Sequence, residues 1–197
     1  EYDGFVKNGG WQRSPVFSPL KFSTDEVYGK TLGLIGYGAI AQAVEKVAVA
    51  LGMNVIVYTR TVREPHLRFK DFDYVLKNSD IVSVHCPLNE QSREMFNEEA
   101  FAKFKDGAYF INTARGGVIN EQALYDALKS GKLSGAAIDV LTAEPMPKDN
   151  ILKDAPNIII TPHTCWAPRS TRKRLLDLVC DNISAFLNGK PQNNLTK

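Results

Sequence analysis

Short apolar segments alternate along the chain with segments in which apolar residues recur at helical spacing. The apolar runs predict six strands, at 31–36, 54–58, 81–84, 108–112, 135–140 and 157–160. The periodic segments predict helices at 39–51, 71–77, 97–104, 120–129 and 168–188. Because parallel strands need crossover connections, this alternation predicts an α/β fold with a doubly wound parallel sheet of the Rossmann type.

Two regions refine this pattern. In residues 1–22, glycines and prolines are interspersed with aromatic residues, which predicts a linker with a short helix at its start, followed by one main domain over 23–197. Glycines mark the expected left-handed ends of the helices, at Gly52, Gly131 and Gly189. The apolar residues at helical spacing within 39–51 are Ile40, Ala43, Val44, Val47, Ala48 and Leu51.

Composition narrows the class of partner. The 197 residues are 44% hydrophobic, with 24 Lys and Arg against 22 Asp and Glu, so a net charge of +2 gives no support for nucleic acid or membrane as partner. No apolar run approaches the roughly 20 residues of a membrane span. Three cysteines without a CxxC pair favour the reducing cytoplasm over a disulfide framework, and no metal-ligand pattern is present.

The turn after the first predicted strand reads Gly36-Tyr37-Gly38-Ala39-Ile40-Ala41, a GxGxxA form of the dinucleotide fingerprint. The first glycine permits the tight turn, and the second lets the backbone approach a diphosphate. The diphosphate would sit on free N–H groups at the helix N-terminus. Gly36, Gly38, Ala39 and Ile40 are therefore predicted cofactor contacts, with a glycine turn of purely packing role as the alternative.

The second strand ends at Thr59-Arg60-Thr61, where an NAD site usually carries Asp or Glu; no carboxylate follows until Glu64. Arg60 can pair with a 2′-phosphate, and the threonines can donate hydroxyl hydrogen bonds. We therefore predict NADP(H) in preference to NAD(H). The alternative is that Arg60 is a solvated loop residue and that NAD binds without the usual acid.

Three polar segments follow other predicted strands. They are Asn112-Thr113-Ala114-Arg115-Gly116-Gly117, Asp139-Val140-Leu141-Thr142-Ala143-Glu144-Pro145 and Thr161-Pro162-His163. Because ligands gather at the carboxyl ends of strands in such sheets, one Arg, two carboxylates and one His should converge beside the cofactor. The alternative for each of these residues is a structural role instead of a functional one, such as capping a turn or lying exposed in a loop.

These segments, in this order and together with GYGAIA, resemble the signature of the D-2-hydroxyacid dehydrogenases, over about 11–191. The resemblance implies catalytic roles for Arg115, Glu144 and His163, and a nicotinamide-amide ligand in Asp139. It implies further cofactor contacts at Cys86, Pro87, Thr113, Ala114, Arg115 and His163. His85, which precedes Cys86, is given no role beyond packing.

The resemblance also implies the chemistry, which is hydride transfer to C2 of a small 2-keto acid. His163 would supply the proton, Glu144 would favour its charged form, and Arg115 would hold the substrate carboxylate. Glu144 occupies the position at which formate dehydrogenases carry Gln, which argues against formate as the substrate. Trp166, placed near the substrate, resembles the glycerate dehydrogenase and hydroxypyruvate reductase branch, and Cys165 beside it is expected to be buried rather than reactive.

In this family another domain, built mostly before the glycine turn, completes the substrate site, whereas here about 30 residues precede that strand. Residues 1–22 resemble the crossing segment into the nucleotide domain. We therefore expect an N-terminally truncated form that binds cofactor, turns over poorly and forms a homodimer through this domain. A non-catalytic, corepressor-like cofactor sensor remains the alternative. L-lactate and malate dehydrogenases are disfavoured because their catalytic His and Arg lie in different contexts.

Overall fold

The protein is described by a computed structural model over residues 1–61 and 68–195. All six predicted strands are present, namely β1 (Thr31–Ile35), β2 (Asn54–Tyr58), β3 (Ile81–Val84), β4 (Ala108–Asn112), β5 (Leu133–Ile138) and β6 (Ile158–Ile160). β5 begins and ends two residues earlier than predicted. Asp139 therefore follows the strand and lies in the loop at its carboxyl end.

Within the described residues, six α-helices accompany the strands, namely α1 (Tyr2–Lys7), α2 (Ala39–Ala50), α3 (Phe72–Asn78), α4 (Glu98–Ala102), α5 (Glu121–Lys129) and α6 (Arg169–Leu187). α1 is the short helix predicted at the start of the chain, and residues 8–30 contain neither strand nor helix. The basic residues of α6 are solvated, since this helix buries none of its residues. Over the described ranges, no helix combines the length and apolarity needed to cross a membrane.

The sheet is parallel throughout and has the order β2-β1-β3-β4-β5-β6, which confirms the doubly wound prediction. After β2 the chain crosses back over β1 to form β3, so the winding direction changes between β1 and β3. At such a switch point the connections leave in opposite directions and open a crevice beyond the carboxyl ends of the strands.

Apolar side chains cover both faces of this sheet. One cluster joins α2 to β1 and β2 through Leu32, Leu34, Ala41, Ala48, Val55 and Val57. The larger cluster centres on Phe96, Phe101, Phe104 and Phe110, whose ring centroids lie between 5.0 and 6.3 Å apart. On the side of α2 this cover reaches only β1 and β2, since Tyr109 of β4 and Ile159 of β6 are 52% and 67% exposed. Ligands of such sheets gather beyond the carboxyl ends of the strands.

The helix termini follow the sequence closely. Leu124, Ala127 and Leu128 of α5 are buried, and Gly131 beyond its end has φ +78°, as predicted for a left-handed end. Asp71, Asn97 and Asn120 cap α3, α4 and α5 by accepting a backbone N–H. α2 has Gly38 in the cap position and no side-chain cap among the described residues.

α2 is rotated relative to its apolar pattern. Its buried residues are Ala41, Glu45 and Ala48, whereas Ile40 and Val47 are exposed. Of the six apolar residues at helical spacing, only Ala48 is therefore buried. A small residue is needed where the helix meets β1, and Ala41, which is fully buried, occupies that position.

Candidate active site

A cavity of about 940 Å³ lies at the switch point, beyond the carboxyl ends of β1, β2 and β3. It brings together eight of the predicted cofactor residues: Gly36, Gly38, Ala39, Thr59, Arg60, Thr61, Cys86 and Pro87. Its wall also contains residues to which the sequence assigned no role, among them Tyr37, Gln42, Arg68, Phe69 and Met95. The predicted contact Ile40 is 71% exposed and does not line this cavity.

The two glycines of the turn meet opposite constraints. Gly36 has φ +94°, and a Cβ there would lie 2.8 Å from backbone atoms of both His85 and Cys86. Gly38 has φ −84°, and a Cβ there would have no protein atom within 4 Å. Gly36 is thus required by the fold, while Gly38 keeps open the space in front of the uncapped N-terminus of α2. These features fit an anionic diphosphate held by backbone N–H groups.

The segment after β3 also forms part of the wall. His85, expected only to pack, lines the cavity, and its Nε2 lies 3.0 Å from Ser83 Oγ. Burial lowers the pKa of His85, so the ring is neutral at pH 7. Burial raises the pKa of the Cys86 thiol, and the positive charge of Arg60 partly offsets this effect. Arg60 and Cys86 line the same cavity, while Glu64 falls outside the described residues.

A second cavity, of about 880 Å³, lies beside β5 and β6 and contains the predicted pair Glu144 and His163. His163 Nδ1 lies 2.7 Å from Glu144 Oε2, while Glu144 Oε1 accepts the backbone N–H of Leu141 at 2.8 Å. These two hydrogen bonds, that from His163 first, hold the pKa of Glu144 below its usual value. The pair therefore consists of an ionised carboxylate fixed to one ring nitrogen, which leaves His163 Nε2 as the other proton-carrying position.

Asp139 holds the turn that carries His163. It is 3% exposed, and its carboxylate accepts the Thr161 hydroxyl and the backbone N–H groups of Thr164 at 2.9 Å and Cys165 at 3.0 Å. Burial alone would raise the pKa of Asp139, but these hydrogen bonds outweigh burial and lower it. His163 has φ +54° within this turn, and its N–H donates to the Asp139 carbonyl at 2.8 Å.

We expect Asp139→Asn to destabilise the protein by about 1–3 kcal/mol, because an amide cannot accept on both sides and leaves a buried donor unsatisfied. Since the folded-state pKa of Asp139 is lowered, this stabilisation is present above the ordinary Asp pKa. It is lost as pH falls through the lower folded value. Urea unfolding of both proteins from pH 7 to 3 measures the difference, which should shrink only below about pH 4.

Asp106→Asn is the matched control for Asp139→Asn. Asp106 pairs with Lys132 on the surface and its side chain is 90% exposed. We expect no measurable change in unfolding for this variant, because exposed ion pairs contribute little. A loss of stability in Asp139→Asn that is no larger than that of the control would contradict the role of Asp139 in the turn.

Arg115 does not join the other predicted residues. Within the described residues it lines neither cavity, its side chain is exposed, and its Nη1 donates to the neighbouring Ala114 carbonyl at 2.7 Å. Thr113 and Ala114 likewise line neither cavity. The turn itself is well defined, because buried Asn112 accepts the N–H of Ala114 and donates to the Arg115 carbonyl, both at 3.0 Å.

The residues after His163 differ from expectation. Cys165 is exposed rather than buried, and its backbone N–H donates to the Asp139 carboxylate. Partial burial, together with Asp139, raises the pKa of its thiol, so the thiolate needed for reactivity is disfavoured. Trp166 is 55% exposed and lines neither cavity.

Glu121, which no sequence motif singled out, anchors the loop that carries Glu144. Its Oε1 accepts the N–H of Thr142 at 2.8 Å, and its Oε2 accepts Asn150 Nδ2 at 2.7 Å. Glu at the first turn of a helix is common for electrostatic reasons alone. The local sequence therefore gives no sign of this second contact, which depends on how the loop folds back.

Comparison with known proteins places this geometry in a family. The family described as "D-isomer specific 2-hydroxyacid dehydrogenase, NAD binding domain" matches residues 1–165. A hydroxypyruvate reductase from Blautia hydrogenotrophica is 42% identical over 196 residues, and a glycerate dehydrogenase from Methylorubrum extorquens is 41% identical over 194 residues. Each alignment covers 98% of this chain, and the chain spans 61% of the length of each relative.

The fold also matches solved structures. An acyclic imino acid reductase, solved in complex with NADPH and D-Arg, superimposes with a TM-score of 0.80 at 33% sequence identity. The match covers 96% of this chain and 62% of that protein. The family match and this solved structure thus indicate the same fold.

Proposed function

Because the chain belongs to the D-isomer specific 2-hydroxyacid dehydrogenases through their NAD binding domain, we propose that it serves the reduction of a small 2-keto acid. Hydroxypyruvate and glyoxylate, giving D-glycerate and glycolate, are the favoured substrates. The observation that carries this proposal is the 2.7 Å contact between His163 Nδ1 and Glu144 Oε2 at the carboxyl edge of a dinucleotide-type sheet.

The residues of the pair divide the proton chemistry between them. When bound, a reduced nicotinamide dinucleotide supplies a hydride to C2 of the keto acid. His163 delivers a proton from Nε2 to the carbonyl oxygen, on which negative charge develops. Glu144 stabilises the protonated ring and fixes its orientation. In the opposite direction, neutral His163 accepts the hydroxyl proton.

Arg115 is proposed to bind the substrate carboxylate with its planar fork, and Asp139 to bind the nicotinamide amide. The first role requires the Arg115 side chain to leave the Ala114 carbonyl, which is a rotation of an exposed side chain. Asp139 uses its two oxygens in the 161–165 turn, and a carboxylate has further lone pairs for an amide donor. Thr113, Ala114 and Trp166 are proposed contacts around the same substrate.

The reaction is tested with the full-length gene product by following NADPH oxidation with hydroxypyruvate and identifying the product by chiral chromatography. Formation of D-glycerate in step with NADPH consumption is the expected result. Cofactor binding without turnover of any small 2-keto acid would overturn the enzymatic proposal and favour a cofactor sensor. The 197-residue chain alone is expected to bind cofactor and turn over poorly.

We further propose NADP(H) as the preferred cofactor, with Arg60 pairing with the 2′-phosphate. Arg60→Ala should weaken NADPH binding about tenfold and leave NADH binding within about twofold, since only NADPH carries the group that Arg60 contacts. Calorimetric titration with each dinucleotide measures both affinities. Arg172→Ala, at an exposed position of α6, is the charge-matched control. Equal weakening of both dinucleotides by Arg60→Ala would argue against 2′-phosphate recognition.

A homodimer through this domain is also proposed. Supporting it, Ile40, Val47 and Leu51 lie on one face of α2 and are 71%, 61% and 55% exposed. An apolar stripe of this kind commonly marks an interface between proteins. Light scattering after gel filtration should give twice the 21.9 kDa chain mass; a monomer would argue against the proposal.

A further inference from the structure

The proposed function leaves a buried negative charge unexplained. Glu45 of α2 is 6% exposed, and burying a carboxylate is costly unless it is paired. Its Oε2 accepts the Tyr37 hydroxyl, and its Oε1 pairs with the Arg68 guanidinium. These partners come from separate segments, since Tyr37 lies in the glycine turn and Arg68 follows β2. The Glu45 carboxylate thus joins the glycine turn after β1 to the segment containing Arg68, which lies beside β2 at the edge of the sheet.

Both partners of Glu45 line the cavity at the switch point. The Tyr37 ring meets Phe69 edge to face, with 5.4 Å between centroids and 86° between planes. The Arg68 carbonyl accepts the N–H of Val57 at 2.8 Å, so this segment is fixed beside β2. Arg68 therefore belongs to the same wall as Thr59, Arg60 and Thr61, where the ribose end of a dinucleotide is expected.

Among the described residues, this wall carries two cationic side chains, Arg60 and Arg68. They differ in whether a buried carboxylate offsets their positive charge. Arg68 is held by the buried carboxylate of Glu45, whereas the side chain of Arg60 is exposed. We propose that Glu45 determines specificity at the ribose end by holding Arg68 in an ion pair, which reduces the positive potential available to a 2′-phosphate. Glu45 then limits the preference for NADP(H) over NAD(H). This inference rests on the proposed dinucleotide function.

Glu45→Gln tests the inference, with the ratio of NADPH to NADH affinity as the readout. The amide keeps the shape of the side chain and can still accept the Tyr37 hydroxyl, but it removes the negative charge beside Arg68. We expect the ratio to rise about fivefold, because the added attraction acts on the extra phosphate of NADPH. Calorimetric titration at fixed salt gives both affinities, and a ratio that is unchanged or lower overturns the proposal.

Two further variants separate charge from structure. In Glu45→Gln with Arg68→Met, neither charge is present, so the gain should vanish and the ratio should return to the wild-type value or below. Tyr37→Phe removes the other partner of Glu45 but leaves the ion pair, so the ratio should stay within about twofold of wild type. If the ratio of NADPH to NADH affinity stays raised in the double variant, or rises equally in Tyr37→Phe, the charge of Arg68 is not responsible for the change and the proposal is overturned.

Separate measurements distinguish a misfolded variant, and a failure of the proposed function, from a failure of the inference about Glu45. Thermal unfolding identifies a variant that fails to fold; Glu45→Met then replaces Glu45→Gln, since it removes the same charge at similar length without burying a polar amide and should raise the ratio in the same direction. An unchanged ratio in that folded variant overturns the inference. If the wild-type chain binds neither dinucleotide, the proposed function itself fails. If it binds both and the ratio never responds, only the role of Glu45 fails.

Discussion

Replacing His163 by Asn should lower kcat for keto-acid reduction by the full-length gene product by about 10²–10⁴-fold. Asn cannot carry the proton that the carbonyl oxygen needs, although it fills a similar volume. Cofactor affinity should change by less than about tenfold, because His163 lines the second cavity rather than the one at the switch point. Steady-state kinetics and cofactor titration on the same preparation separate the two effects.

Glu144→Gln complements His163→Asn, because it changes the partner of the proton donor and leaves the donor in place. Gln can still accept the N–H of Leu141 but no longer carries the charge that favours the protonated ring. Reduction by Glu144→Gln should therefore be slower than by wild type, but by less than in His163→Asn, and steady-state kinetics of both variants measures the difference. A His163→Asn enzyme whose kcat stays within about threefold of wild type would remove His163 from the mechanism.

Gly38→Ser should weaken binding of both dinucleotides on the order of 100-fold while leaving the fold intact. A side chain at Gly38 meets no protein atom within 4 Å, so its cost falls on the ligand that occupies that space. Ser is also a favourable N-cap, so unfolding stability should stay equal or rise by up to about 1 kcal/mol. Calorimetry and urea unfolding measure the two quantities.

Gly36→Ala is the contrasting variant of the same turn. Its Cβ would lie 2.8 Å from the backbone around Cys86, at φ +94°, so it should destabilise the fold by about 2–4 kcal/mol. The pair therefore separates a glycine required by the fold from one required by the ligand. Normal dinucleotide binding by Gly38→Ser would contradict the placement of the diphosphate at this turn.

The fold was predictable because the signals that specify it are local. Every strand is a short apolar run, and Gly131 ends its helix at the expected left-handed residue. For α2, local signals predicted only part of the structure. Its length was predicted, but its buried face was not, because a Glu on a helix is normally solvent-facing. Glu45 is buried through partners at 37 and 68, and pairing across such separations is invisible to helical periodicity.

The candidate site divides in the same way. Strand ends predicted that Asp139, Glu144 and His163 share one edge, and they line one cavity. The sequence could not predict that Arg115 folds onto its neighbour, since the rotamer of an exposed side chain depends on local hydrogen bonding. Nor could it predict the cavity position of His85 or the exposure of Cys165. Each depends on the path of a loop beyond a strand end.

We expect the cavity at the switch point to bind a nicotinamide dinucleotide, and calorimetric titration of this chain with NADPH and NADH tests this most directly. The predicted result is saturable binding of both at one site, with NADPH tighter by at least about tenfold, or about 1.4 kcal/mol. NADH binding as tightly as NADPH would contradict the role of Arg60 and leave the site in place. Binding of neither dinucleotide, by a chain shown to be folded, would contradict the expectation itself.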